Sequence, residues 1–193
     1  MKVTHLLLGL TPWVLFSTAV ERLGAGMTGY AALAAFLGAV ALTVWGAFTD
    51  GLKLIDVAGT TVFGTLTVLG LAGGPSARTS LTAQGGWGVT LALAAVMFVS
   101  ALTVPFTEQY TRAGVHRRYW GSPTFRAVNR DMSMLWTAVI LAVTACRLLA
   151  DVPSTGGLLL EPALSAVLVS GGLTGTRALA DKADLGRGKE TDQ

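Results

Sequence analysis

Apolar residues along this chain come in long unbroken blocks separated by short polar punctuation. Six blocks stand out, at about 4–20, 27–48, 57–73, 87–106, 132–150 and 157–174. Each holds roughly 17–22 residues, which suits a hydrocarbon core about 30 Å thick crossed at about 1.5 Å per helical residue. Glu21 and Arg22 close the first block, and Thr49-Asp50-Gly51 closes the second. Lys53 and Asp56 lead into the third, which ends at Gly73-Gly74-Pro75. The sixth is the weakest, because Glu161 lies near its start. Lipid offers no partner to a backbone N–H or C=O, so each block is predicted to be helical. The fold class that follows is all-α: an integral-membrane helical bundle of about six transmembrane helices over residues 1–176. Alanine and glycine inside the blocks, as in Ala31-Ala32-Leu33-Ala34-Ala35 and at Gly59 and Gly64, predict close helix packing.

Composition agrees with this pattern. Of 193 residues, 52% are hydrophobic and 13% charged, against about 25% charged in ordinary soluble domains. Six spans leave no room for a separate soluble domain. The net charge of +3 raises the question of nucleic acid. The basic residues, however, sit beside the spans, where they act as topology signals, and no nucleic-acid partner is expected. An even number of spans puts both termini on one side. That side carries eleven of the fourteen Lys and Arg residues, so both termini are predicted to be cytoplasmic, in a multi-pass protein of the cell membrane. The sixth span matters most, because losing it leaves seven basic residues on each side. Residues 177–193 are polar and lack aromatics, and read as a flexible cytoplasmic tail. Met1-Lys2 and the apolar run behind it resemble a signal peptide, but no small-x-small cleavage site follows, so the run reads as a retained first helix.

Few residues carry obvious chemistry. Cys146 is the single cysteine and reads as a small core residue. His5 and His116 are isolated, and Arg147 reads as a snorkelling residue near a span end. There is no metal-spaced Cys/His cluster, no glycine-rich phosphate loop and no aspartate-rich DDxxD pattern, so neither metal nor cofactor is expected. The richest stretch is 107–131, between the fourth and fifth spans. It mixes Tyr110, Tyr119, Trp120 and Phe125 with Arg112, Arg117, Arg118, Arg126 and Arg130. One reading is an interfacial segment with aromatics at headgroup depth and arginines on anionic lipid. The other is a lid or a diphosphate-binding strip over a pocket.

Carboxylates mark the same boundary. Asp50 ends the second span, Glu108 follows the fourth, and Asp131 opens the fifth, with Asp56 as a further candidate. Asp131 and Asp56 also suit helix N-termini, where a carboxylate meets free N–H groups. Asp50 also suits a turn with Gly51. Glu108 has no such capping role, which makes it the leading candidate. Trp45, Phe48, Phe106, Tyr110 and Trp136 gather toward the same end, with Phe63 deeper. They fit an aromatic belt, or a pocket whose π-faces would stabilise a carbocation. A carboxyl group in such a pocket is favoured in its neutral, proton-donating form.

The run Pro105-Phe106-Thr107-x-x-Tyr110-x-Arg112, followed by Trp120-x-Ser122-Pro123-x-Phe125, Asn129 and Trp136, resembles a set of small multi-pass bacterial membrane proteins. Their wording is P-F-T-x-x-Y-A-R, then W-x-x-P-x-F, N and W. Here Thr111 replaces the usual alanine, and His116 stands where a proline is common. Some of that group look like the integral-membrane terpene cyclases of indole–terpenoid (drimentine-type) pathways. The resemblance implies a class II reaction, in which an acidic side chain protonates an alkene of a prenyl (farnesyl) chain, rings close and a proton leaves. On that reading Glu108 is the acid, with Asp50 and Asp131 next. Trp45, Tyr110 and Trp136 stabilise the cation beside Phe48 and Phe106. Arg112, Arg117 and Arg118, with Trp120 and Asn129, bind the substrate's polar end. The expected partners are the lipid bilayer and a hydrophobic prenyl-chain substrate. The alternative is a non-enzymatic scaffold or small transporter of the cell envelope. A transporter is less well matched, because no internal repeat and no clear midplane ionisable pattern is visible.

Overall fold

The computed structural model describes residues 3–24, 26–49, 51–112, 115–150 and 157–191. Every regular element among them is helical: α1 (Val3–Leu23), α2 (Thr28–Phe48), α3 (Leu54–Ala72), α4 (Pro75–Leu102), α5 (Thr107–Thr111), α6 (Pro123–Ala150) and α7 (Gly157–Thr191), with one 3₁₀ turn at Arg117–Tyr119. Five helices among the described residues are long and apolar enough to cross a membrane: Leu6–Leu23, Thr28–Phe48, Leu54–Ala72, Pro75–Leu102 and Pro123–Leu149. Their outward faces carry Leu15, Leu37, Val68 and Val99, all exposed, while Thr, Ser and Asn side chains are buried inside. Apolar outside and polar within is the distribution lipid demands of a helical protein. The chain is a membrane-embedded helical protein.

The sixth predicted block, 157–174, is not among those five spans. It forms the first half of α7, and that helix continues through most of the predicted tail to Thr191. The extension has a local cause. Ten of residues 177–191 are Ala, Leu, Lys, Arg or Glu, all good helix formers, and none is proline, which outweighs Gly186 and Gly188.

The chain divides into two compact units, Lys2–Val96 and Met97–Gln193. In the first, α2 and α3 pack along their length. Thr43 and Thr60 share a hydroxyl hydrogen bond of 3.0 Å across that seam. Further along, Gly29 and Gly70 bring the two backbones together, so that a Cβ at Gly29 would lie 2.8 Å from the Gly70 carbonyl carbon. From α1, Trp13 lies edge-on to Phe63 at 5.0 Å, and Phe16 packs on the same ring at 5.5 Å. Thr82 of α4 meets Thr28 through a 2.8 Å hydroxyl contact. Threonines throughout donate to the carbonyl four residues back, as Thr43 does to Ala39 O and Thr67 to Phe63 O. That habit lets a hydroxyl sit in a membrane helix without seeking water. The turns need glycine at two points, Gly24 (φ 67°) after α1 and Gly51 (φ 89°) after α2, where a side chain would be strained.

In the second unit, α6 packs on α7. The Trp136 indole N–H donates to Thr176 Oγ1 at 3.1 Å. A Cβ at Gly175 would meet Leu135 Cδ2 at 2.8 Å. The helix α4 stops just before Pro105, whose ring disfavours a helical residue ahead of it.

The Gly29–Gly70 contact gives a direct test of the packing. Gly29→Ala and Gly70→Ala each force a methyl into backbone, and each is expected to lower stability by about 1–3 kcal/mol. Gly88→Ala meets nothing within 4 Å and removes a glycine from a helix interior, a gain of up to about 1 kcal/mol. Thermal unfolding in detergent separates the two classes. Equal behaviour of all three variants would contradict the packing.

Candidate functional site

The 107–131 stretch, which reads as a loop from composition, is largely built. Glu108 lies in α5, a five-residue helix directly after Pro105-Phe106. Its amide donates to Pro105 O at 3.0 Å, so the turn starts at the proline. The helix α6 starts at Pro123, well before the predicted 132, for two reasons legible in Ser122-Pro123. Proline is pre-set for the first helical position. Ser122 Oγ accepts the Phe125 N–H at 3.2 Å, as an N-cap does.

A buried polar cluster ties α5 to α6. Thr107 Oγ1 donates to the Asn129 backbone carbonyl at 2.7 Å and meets Ser133 Oγ at 3.0 Å. One turn later, Thr111 Oγ1 donates to Asn129 Oδ1 at 2.8 Å. The Asn129 amide nitrogen donates to Phe125 O at 2.8 Å. Thr107, Thr111, Asn129 and Ser133 are all buried. Each hydroxyl and amide here has a partner, which is the condition for burying it without loss. The cluster fixes the rotation of α5, and so fixes where Glu108 points.

Glu108 is only 4% exposed. Its Oε2 accepts from Arg112 Nη2 at 3.1 Å, one helical turn away, and the Arg112 side chain is 43% exposed. Phe106 and Tyr110 are buried beside it on the same short segment, with rings edge-on at 6.5 Å. Beyond α5, the Arg112 guanidinium stands 5.1 Å from the Trp120 ring centroid and that of Arg117 6.0 Å. The Trp120 indole N–H donates to Val115 O at 2.9 Å. Arg118 lies 4.6 Å over the Tyr119 ring and bonds its hydroxyl. His116 caps the 3₁₀ turn, with Nδ1 facing the Arg118 N–H at 3.5 Å. Among the described residues no three His, Cys, Asp or Glu side chains gather to share a metal ion.

The structure therefore brings Phe106, Glu108, Tyr110, Arg112, Arg117, Trp120 and Asn129 together along one segment. Other candidates lie elsewhere. Asp131 is exposed on α6. It does not open that helix, because α6 begins at Pro123, and it does not face Asn129 and Ser133. Trp136 is buried in the same unit, but its indole N–H is directed to α7. Trp45 and Phe48 belong to the other unit and are 60% and 85% exposed, which suits an aromatic belt rather than pocket walls. Asp50 lies outside the described residues. Asp56 is more deeply placed than a helix-start reading suggests: it is 6% exposed, and its Oδ1 has no hydrogen-bond partner. Its place immediately before the predicted third span, in what is the first turn of α3, was the available signal.

Asn129 is the joint of the cluster and the place to probe it. Asn129→Ala removes two side-chain hydrogen bonds and is expected to cost about 1–3 kcal/mol in thermal or denaturant unfolding. Asn129→Asp keeps the shape but sets an oxygen against the Phe125 carbonyl, and is expected to cost more than alanine. Equally mild effects would mean that the amide is not buried in this network.

No protein-family model, no curated protein and no solved structure matches the chain.

Proposed function

We propose that this membrane-embedded protein is an enzyme of the class II terpene-cyclase type, which protonates an alkene of a prenyl (farnesyl) chain, closes rings as further C=C π bonds become C–C σ bonds, and ends when the last carbocation loses a proton from carbon. The observation that carries the reading is Glu108: a carboxylate 4% exposed, set beside the buried Phe106 and Tyr110, on a short helix held in place by Asn129 and its hydroxyl partners. A reacting acid has to be held still against an apolar chain, and this arrangement supplies both conditions. The chain itself would reach the protein from the bilayer.

Arg112 holds Glu108 through one hydrogen bond of 3.1 Å, and its own side chain is 43% exposed, so it is the group through which the outside of the segment reaches the buried carboxyl group. Tyr110 and Phe106 face the developing cation. The cytoplasmic placement of the site requires α7 to supply a sixth crossing, because without it the basic residues divide seven to seven.

A non-enzymatic scaffold is the second reading. The same completeness favours it: the polar atoms of the α5–α6 cluster are partnered within the protein, as in a purely structural joint.

Product analysis separates the two. The protein, a Glu108→Gln variant and an empty vector are expressed in a bacterial host supplying farnesylated indoles and prenyl diphosphates. Cyclisation by proton transfer leaves mass unchanged, so the expected sign is a new peak of shifted retention and identical mass, absent in the variant. A product retained by Glu108→Gln would remove Glu108 as the acid. No product from any substrate, with the protein verified in the membrane, would leave the scaffold reading.

A further inference from the structure

Residues 105–122 hold three arginines and one acidic residue, and that acid, Glu108, is buried. What the segment shows to solvent is therefore cationic: Arg112, Arg117 and Arg118 are all exposed, with His116 among them. Two of the guanidiniums converge on one ring. Arg112 stands 5.1 Å and Arg117 6.0 Å from the Trp120 centroid. The ring is anchored from behind, since its N–H donates to Val115 O at 2.9 Å. Trp120 is thus a platform for both arginines, and Arg112 is held in addition by the Glu108 carboxylate.

Two cations drawn to one ring repel each other, and cation–π attraction is modest where the groups meet water. Both side chains are exposed, and planar guanidinium donor forks match tetrahedral oxyanions. A group with several negative oxygens would cancel the repulsion and take charge-assisted hydrogen bonds from both. Arg112 is shared: one Nη already serves Glu108 Oε2 at 3.1 Å. An anion at the platform and Glu108 therefore compete for the same guanidinium.

We propose that Arg112 and Arg117, stacked on Trp120, form a binding site for a phosphate-bearing anion, either the diphosphate of a soluble ester or the phosphate of a membrane lipid headgroup. Occupancy draws Arg112 away from Glu108, so the site is coupled to that carboxyl. The inference stands apart from the cyclase reading, because binding is measured without turnover.

The test uses the full chain in phosphatidylcholine nanodiscs, titrated calorimetrically with inorganic diphosphate, then repeated in discs doped with phosphatidic acid. Arg117→Gln and Trp120→Leu are each expected to weaken diphosphate binding about tenfold or more. Glu108→Gln removes the competitor and is expected to tighten it several-fold. Glu108→Gln also raises the net positive charge, so Trp120→Leu, which leaves the charge unchanged, is the discriminating variant: a loop that merely attracts anions by its net charge would bind diphosphate undiminished in it. If phosphatidic acid abolishes the diphosphate signal, the same site accepts the lipid phosphate. If only phosphatidic acid binds, read as a thermal stabilisation lost in Arg117→Gln, the source is the membrane. Binding of neither probe, or unchanged binding in both platform variants, overturns the proposal. Thermal unfolding of each variant checks that the fold is intact.

Discussion

The clamp between Thr107, Asn129 and Ser133 is the interaction on which the placement of Glu108 depends. A five-residue helix has almost no stability of its own, because nucleation is costly and few hydrogen bonds follow it. Here α5 persists because two of its hydroxyls lock onto a single asparagine of α6, one through the backbone carbonyl and one through the side-chain amide. Once α5 is locked, Phe106, Glu108 and Tyr110 have fixed directions, and Arg112 is carried to where it bridges Glu108 and Trp120.

The same economy operates in the α1–α3 packing of the other unit. Between membrane helices there is little hydrophobic drive, since lipid tails are as apolar as leucine, and close contact has to come from small residues and hydrogen bonds. Gly29 and Gly70 supply the backbone approach, and Thr43 with Thr60 supply the bond across the seam. Trp13 Nε1, Asp56 Oδ1 and Arg78 Nε depart from this pattern, as buried polar atoms of that unit with no hydrogen-bond partner among the described residues.

Five of the six predicted spans were legible, because lipid thickness and backbone hydrogen bonding leave one solution for an uncharged run of about 20 residues. Where elements begin was less legible. Hydropathy starts α6 at 132, whereas Ser122-Pro123 starts it at the cap, which moves Asp131 from a helix terminus to an exposed helix face. The polar tail read as mobile from its charge, yet its residues are good helix formers and α7 runs on through it. Glu108 was legible as a carboxylate without a capping task. Its partner, Arg112, lies four residues on, a spacing that pairs side chains only where the segment is helical, and composition alone does not show that it is. Trp45 and Phe48 share a helix face, but periodicity does not say whether that face meets protein or lipid. The joint at Asn129 was visible only as a motif letter, because its bonds run between segments about twenty residues apart.

Hydrogen–deuterium exchange over residues 105–120 in nanodiscs tests the clamp most directly, comparing the wild-type chain with Thr107→Val. If α5 is held as described, amides 108–112 exchange far more slowly than those of 115–120 in the wild type. Thr107→Val then releases them while leaving the core of α6 protected. Wild-type amides at 108–112 that exchange as fast as the arginine stretch, or that ignore the loss of the Thr107 hydroxyl, would contradict the clamp and the fixed placement of Glu108 with it.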